Sequence, residues 1–391
     1  MKTLIRLLPK VCFFIVVAAL SAQAAAPPGP FFNGFEKDTN GWFDGDDRAI
    51  VREPSGYSNG GGYGDGVNSA AGRWHARFPP LTACTQQCDG PFTRWGGYNS
   101  TFPPGGYLTQ LDIYMDVAWA GTHPDTRFDW ISAINKNDGT HLRDFVFNVG
   151  TTPTGFVVQS STNSMRSGAN PYSPCPAPNQ FNPPNTCRPP ASITASGWYT
   201  FRHTFRDNAG SLSVDFDIVQ RSTGATVAHW TIFSDPSFPM PMSIVGGNRY
   251  GWFSNEEIPD LAADNSLRTG LCRRGDGDGD IEDNGSGKKA HFHFHKKTCK
   301  DTNDDEDDDV ESDDDSGSHF QSTAITAAPF TDDEDARTLT IVGTGLHDGM
   351  PVGFTMVAVD NGDLPPGVFT LILSDGYSIT GPVTSGGIAI Q

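Results

Sequence analysis

RRGDGDGDIEDNGSGKKAHFHFHKKTCKDTNDDEDDDVESDDDSGS, residues 273–318, divides the chain into two unlike parts. It holds almost no branched apolar side chains, so it offers little to a core. Its acidic run, 304–315, is broken only by Val310 and Ser312. On both sides, short apolar pieces alternate with polar residues between clusters of Gly, Asn and Pro, the rhythm of strands and turns. The stretch therefore reads as the seam between two β-modules. No segment places apolar residues at i, i+3, i+4 and i+7 over three turns, so almost no helix is expected.

Working outward toward the N-terminus, the strongest strand pattern is LDIYMDV (111–117), which alternates acidic and apolar residues. RFDWISAI (127–134) and RDFVFNV (143–149) follow, with Asn137-Asp138-Gly139 as the turn before the latter. WYTFRHTF, LSVDFDIV and TVAHWTI continue the series to residue 232. A strand-rich chain of this length with many aromatics can bury a two-sheet sandwich core. Toward the C-terminus, FQSTAIT (320–326), LTIV (339–342), VGFTMVAV (352–359) and FTLIL (369–373) alternate again. AHFHF (290–294) is expected to supply the first strand of this second module, with the acidic run as an expanded hairpin loop inside it. The expected organisation is all-β: a signal segment at 1–26 and a jelly-roll or concanavalin-like sandwich at 27–270. An Asp/Gly-rich linker at 271–287 and a smaller sandwich or barrel at 288–391 follow, the latter with a disordered acidic loop at 300–318.

Residues 1–26 carry Lys2, Arg6 and Lys10, then an apolar run at 11–20, then Ala22-Gln23-Ala24. That order is a cleavable secretory signal, and the apolar run is too short to span a bilayer. Export to the periplasm, cell surface or medium is expected, with no membrane span left after cleavage. Cleavage would take the formal net charge from −19 to −22. Such a surface repels nucleic acid and anionic lipid, so neither is an expected partner. Six cysteines would remain: Cys84, Cys88, Cys175, Cys187, Cys272 and Cys299. An even number in an exported chain suggests disulfides. Short loops favour Cys84–Cys88, Cys175–Cys187 and Cys272–Cys299, one of the roughly 15 connectivities open to six cysteines.

The last hundred residues or so resemble the post-choice-of-anchor domain, a β-rich unit found in exported bacterial proteins. FQSTAIT (320–326), IVGTG (341–345), PVGFT (351–355), VDNG (359–362) and LSDGY (373–377), then residues 381–390, carry the resemblance. The N-terminal module is similar in outline to jelly-roll, carbohydrate-binding-like domains of exported bacterial proteins. GFE (34–36) with GW (41–42), and LAADN (261–265), are the residues that match. The opening acid and closing Asp of such modules often ligate one structural calcium. By that resemblance Glu36 and Asp264 would be calcium ligands.

Other candidates come from the residues themselves. Asp276, Asp278 and Asp280 alternate with Gly and can converge on a hard cation such as Ca2+. Ile281 and Gly287 break the EF-hand pattern at its sixth and twelfth positions, which leaves a calcium site and a solvated acidic loop both open. His291, His293 and His295 fall on one strand face; the simpler reading puts Phe292 and Phe294 in the core and the histidines in water. GYSNG (56–60) fits a nucleophile-elbow pattern but lies in a glycine-rich loop. Glu36 with Asp38, and Glu256 with Glu257, are the carboxylate pairs available for glycoside hydrolysis. Among the aromatics, Trp95 and Tyr98 flank Gly96-Gly97 and are expected to form an exposed pair that stacks sugar rings. The leading expectation is a non-catalytic module contacting a polysaccharide or cell-surface glycan. A polysaccharide-active enzyme and a calcium-associated matrix protein are the alternatives.

Overall fold

The computed structural model describes residues 30–45, 48–79, 89–162, 190–233, 239–283, 285–299, 308–332, 336–362 and 366–390. The signal segment, Cys84, Cys88, Cys175 and Cys187 lie outside them. The chain opens with β1 (Phe31–Asn33), β2 (Trp42–Phe43), β3 (Val51–Pro54), β4 (Trp74–Phe78) and β5 (Phe92–Thr93). Then come β6 (Tyr107–Met115), a short helix α1 (Val117–Thr122), β7 (Arg127–Lys136), β8 (His141–Thr152) and β9 (Gly155–Thr162). β10 (Ala191–Ile193), β11 (Gly197–Asn208), β12 (Ser211–Gln220), β13 (Ala225–Phe233), β14 (Val245–Ser254) and β15 (Leu261–Gly270) complete the first module.

These strands make two antiparallel sheets. The first runs β13-β12-β11-β6-β15-β4-β3, with β1 added on β15; the second runs β10-β9-β8-β7-β14-β5-β2. Alternation decides which residues meet between them. Tyr107, Leu111, Ile113 and Met115 of β6 face inward and are fully buried, while Leu108, Gln110 and Tyr114 are half-buried on the outer face. One core unites the sheets, and its large members include Trp95, Trp130, Tyr107, Phe78, Phe128 and Phe253. Each such ring contributes on the order of 2–3 kcal/mol by leaving water. The expected two-sheet sandwich is therefore what forms. Strand β6 stops two residues before the alternation in the sequence does, because Asp116 caps α1 by accepting from Trp119 N at 3.0 Å.

The second module contains β16 (Arg274–Glu282), β17 (Lys289–Lys297), β18 (Asp309–Asp314), β19 (His319–Ala327) and β20 (Phe330–Asp332). It ends with β21 (Arg337–His347), β22 (Met350–Asp360), β23 (Val368–Leu373) and β24 (Ser378–Ile390). Successive strands pair except at β19, which pairs with β21 instead of β20, and β24 returns to β16. The result is a closed eight-stranded antiparallel barrel with β20 as a flap on β21. Closure leaves the barrel no open edge, and its interior is filled by Phe292, Phe294, Phe354, Phe369 and aliphatic side chains.

Two expectations need correction here. Residues 271–287 are no linker: most of them form β16, the first barrel strand, ahead of β17. Gly275, Gly277 and Gly279 turn inward, where a Cβ on Gly277 would sit 2.1 Å from the Phe294 ring and one on Gly275 2.4 Å from Leu339. Neighbouring side chains fill the space that β16 leaves. The acidic loop expected at 300–318 is also a strand over Asp309–Asp314, with Val310 and Ser312 inward and Glu311 and Asp313 outward.

The disulfide Cys272–Cys299 closes the β16–β17 hairpin at the junction of the two modules. Leu271 N donates to Gly106 O at 2.9 Å, and Thr298 Oγ1 donates to Leu271 O at 3.2 Å, so the same point is stitched to the sandwich. Replacing both cysteines by alanine should cost roughly 3–4 kcal/mol, since the loop spans 27 residues. Urea unfolding of the double variant checks this; an unchanged midpoint would mean that the crosslink carries no stability.

Candidate functional site

The two residues expected to form an exposed pair separate. Tyr98 is 49% exposed, but Trp95 is wholly buried, so the expected pair does not exist. The glycines do form the turn, yet Trp95 takes a left-handed φ of 56°, and Thr93 Oγ1 accepts its N–H at 3.0 Å. This sends the indole into the core, 6.0 Å edge-on to Trp130 and 6.2 Å from Phe31.

Tyr98 has other partners. On the outer face of the second sheet, Phe43, Phe92 and Trp252 occupy one row across β2, β5 and β14, as register partners. Phe43 and Phe92 stack at 5.0 Å, and Tyr250 meets Trp252 at 6.1 Å. None of these rings belongs to the core. Phe43 is 41% exposed; Phe92, Tyr250 and Trp252 are half-buried. Two guanidinium groups lie on the rings. Arg94 sits 5.0 Å from both Phe43 and Tyr98, and Arg249 sits 5.0 Å from Tyr98 and 5.6 Å from Tyr250. The turn holding Arg94 and Tyr98 is fixed to β14 by Asn248, whose side-chain amide donates to Gly97 O at 2.9 Å and Arg94 O at 3.3 Å. Burial and the neighbouring Asp144 push the Tyr250 hydroxyl well above its ordinary pKa, so it remains a proton donor, and it donates to Asp144 at 3.3 Å.

Glu36 and Asp264 grip one loop from two directions. Glu36 Oε1 accepts Arg73 N at 2.7 Å and Trp74 N at 3.0 Å, while Asp264 accepts Ala71 N at 3.2 Å and Asn265 N at 2.8 Å. The carbonyls of Phe35 and Glu36 accept the Arg52 guanidinium. Asp276, Asp278 and Asp280 do not converge, because an extended strand spaces alternate side chains by about 7 Å. Their cross-strand partners are His295, His293 and His291, and β18 places Asp309, Glu311 and Asp313 beyond these. Asp276 meets His295 at 2.6 Å and Asp280 meets His291 at 3.1 Å. The histidines face outward as expected, although His295 is only 7% exposed. Among the described residues, no group of three His, Cys, Asp or Glu side chains is placed to hold a metal ion.

The hydrolytic pairs also come apart. Glu256 is fully buried against Arg48 at 2.6 Å, while Glu257 is exposed and meets Arg127 at 3.4 Å. Asp38 is occupied with Asn40, and Ser58 donates to Asp65 at 2.8 Å. A second concavity, of about 780 Å3, lies between the outer face of the first sheet and the barrel. Gln110, Arg202, Leu267 and Phe32 line one wall, Arg273 and Phe330 the other. No helix among the described residues is long and apolar enough to cross a membrane. No family model and no curated protein matches this chain.

Burial raises the Asp264 carboxyl to about 8, with Asp112 adding to the rise. Its unfolded value is about 3.9, so between these limits the folded state holds a proton that the unfolded state has lost. Stability from this group is therefore full below about pH 4 and declines as pH rises toward 8, by at most about 1.4 kcal/mol per pH unit. Asp264→Asn should flatten the melting temperature between pH 5 and 8 relative to the parent. Parallel curves would sink the assignment.

Proposed function

We propose that this chain is an exported, non-catalytic β-protein that binds a polysaccharide or cell-surface glycan on the outer face of its second sheet. The observation carrying this reading is the row of Phe43, Phe92 and Trp252 with Tyr98 and Tyr250 beside it, all outside a core that takes up Trp42, Trp95 and Trp130. Flat rings fixed on a sheet present apolar faces at low entropic cost, which suits the axial C–H faces of pyranose rings. The signal-like N-terminus supports export. The dispersal of Glu36, Asp38, Glu256 and Glu257 weighs against the hydrolase alternative, which needs two carboxyls facing one cleft. The calcium-associated matrix alternative draws on the C-terminal module, where residues 271–391 hold 24 Asp and Glu against 8 Lys and Arg.

A glycan array probed with the purified protein, in calcium and then in chelator, tests the proposal. Binding should persist in Tyr98→Phe and fall at least about fivefold, or ~1 kcal/mol, in Tyr98→Ala and in Phe43→Ala. Both rings are exposed, so melting temperatures should stay within about 2 °C of the parent. Glycan binding that is indifferent to both alanine variants would move the site elsewhere. Calcium-dependent self-association without glycan binding would favour the matrix alternative.

A further inference from the structure

We infer that the glycan recognised on this aromatic face carries acid groups, carboxylate or sulfate, which are bound by Arg94 and Arg249. The inference rests on the reading of that face as a glycan platform.

The argument begins with what arginines do elsewhere in the chain. With 46 Asp and Glu against 27 Lys and Arg, a guanidinium has many possible carboxylate partners. Arg48 takes Glu256, Arg127 takes Glu257, Arg206 takes Asp215 and Arg221 takes Asp112. Arg52 and Arg77 donate to backbone carbonyls instead. Arg94 does neither. Its contacts among the described residues are ring faces alone: Phe43, Phe92 and Tyr98. Arg249 spends one nitrogen on Asn135 Oδ1 at 2.9 Å, and its Nε is buried with no acceptor. Both guanidinium groups lie 5.0 Å from the same Tyr98 ring. Two like charges beside one ring repel, and an anion bound by both offsets that cost. Asp144 is engaged with His141 at 2.8 Å and with Tyr250, and Asp44 with Ile50 N at 3.0 Å.

Charge elsewhere in the chain does not cancel this. The barrel carries most of the excess acid, and its residues Arg273, Phe330 and Thr331 approach the first sheet, not the second. The thickness of the sandwich, about 10 Å between sheets, separates them from the aromatic face. A guanidinium packed against a ring can still present N–H groups to a carboxylate or sulfate in bidentate fashion. An acidic sugar that packs against the exposed part of this aromatic face can thus bring its acid group to Arg94 and Arg249.

The test is affinity electrophoresis or calorimetry of the whole protein with two matched pairs of polymers. Polygalacturonate is set against its fully methyl-esterified form, and dextran sulfate against dextran. At least one acid form should bind about tenfold or more tightly than its neutral partner, and that preference should weaken as salt rises. The favoured pair tells carboxylate from sulfate. Arg94→Gln, at an exposed position, should abolish the preference while the melting temperature stays within about 2 °C of the parent. Arg249→Gln should reduce it as well. Equal binding within both pairs, lost in Tyr98→Ala, would overturn this inference and leave the platform standing. An acid preference that survives both arginine variants would also overturn it. Binding of none of the four polymers would overturn the inference and the platform together.

Discussion

Gly251 is the point on which the second sheet turns. An ideal Cβ there would lie 2.4 Å from the ring of Trp95 and 2.7 Å from that of Trp130, so the two indoles fill the space a side chain would need. Any larger residue would force these rings apart in the densest part of the core, where overpacking costs about 1–3 kcal/mol. The same contact arranges the outside. Register slips between Asn248 and Gly251 against β7, which lets Arg249 and Tyr250 both reach the outer face. Phe253 then returns to the core while Trp252 stays out. Trp95, pulled inward, draws its turn onto β14 and leaves Arg94 and Tyr98 above the sheet. The aromatic face is in this sense the outer consequence of an inner packing solution.

The barrel solves a different problem. It must close a ring from strands loaded with acid. Its answer is to alternate columns of charge: Asp276, Asp278 and Asp280 on β16, histidines on β17, then Asp309, Glu311 and Asp313 on β18. Carboxylates directly opposite one another across a ladder would repel, and a column of imidazoles between them replaces that repulsion with hydrogen bonds. His319 on Asp313 at 2.5 Å and His347 on Asp375 at 2.6 Å extend the arrangement to other strands. The inward positions of β16 to β18 are glycine, small, aliphatic or aromatic apart from Ser312 and Asp314, so most of the charge stays on the outer face.

That division explains which parts of the chain were legible as sequence. LDIYMDV showed its fold because apolar residues mark the buried face at every second position. DVESDD follows the same period, with Val310, Ser312 and Asp314 inward, but its inward residues are small or polar and the charge run hides the alternation. GDGDGD is more deceptive still. Gly is depleted in strands and typical of linkers, yet here it is the inward residue, because Phe294 and Leu339 from neighbouring strands occupy its volume. Such a strand can be recognised only once its neighbours are known. Trp95 shows a similar limit: Gly96-Gly97 announces a turn, but the side on which the indole falls depends on one left-handed residue and on the space left at Gly251. Tyr98 was within reach of sequence reasoning. Phe43, Phe92 and Arg249 were not, since 43, 92 and 249 meet only through the pairing of three strands.

The aromatic face and the cleft between sandwich and barrel differ in the state of their arginines. In the cleft between sandwich and barrel, Arg221 is bound to Asp112, which also accepts Asn265 at 2.7 Å and Thr200 at 2.5 Å. Arg202 donates to Gln110 at 3.1 Å, and Arg273 is buried against Phe330 at 4.9 Å. These groups are engaged within their own modules, and a ligand entering there would have to break contacts already made. On the aromatic face, Arg94 gives up only ring contacts, and Arg249 makes one side-chain hydrogen bond, to Asn135. Binding energy is what remains after existing interactions have been exchanged. The larger concavity therefore reads as part of the scaffold, and the shallower face of the second sheet as the surface with interactions still to make.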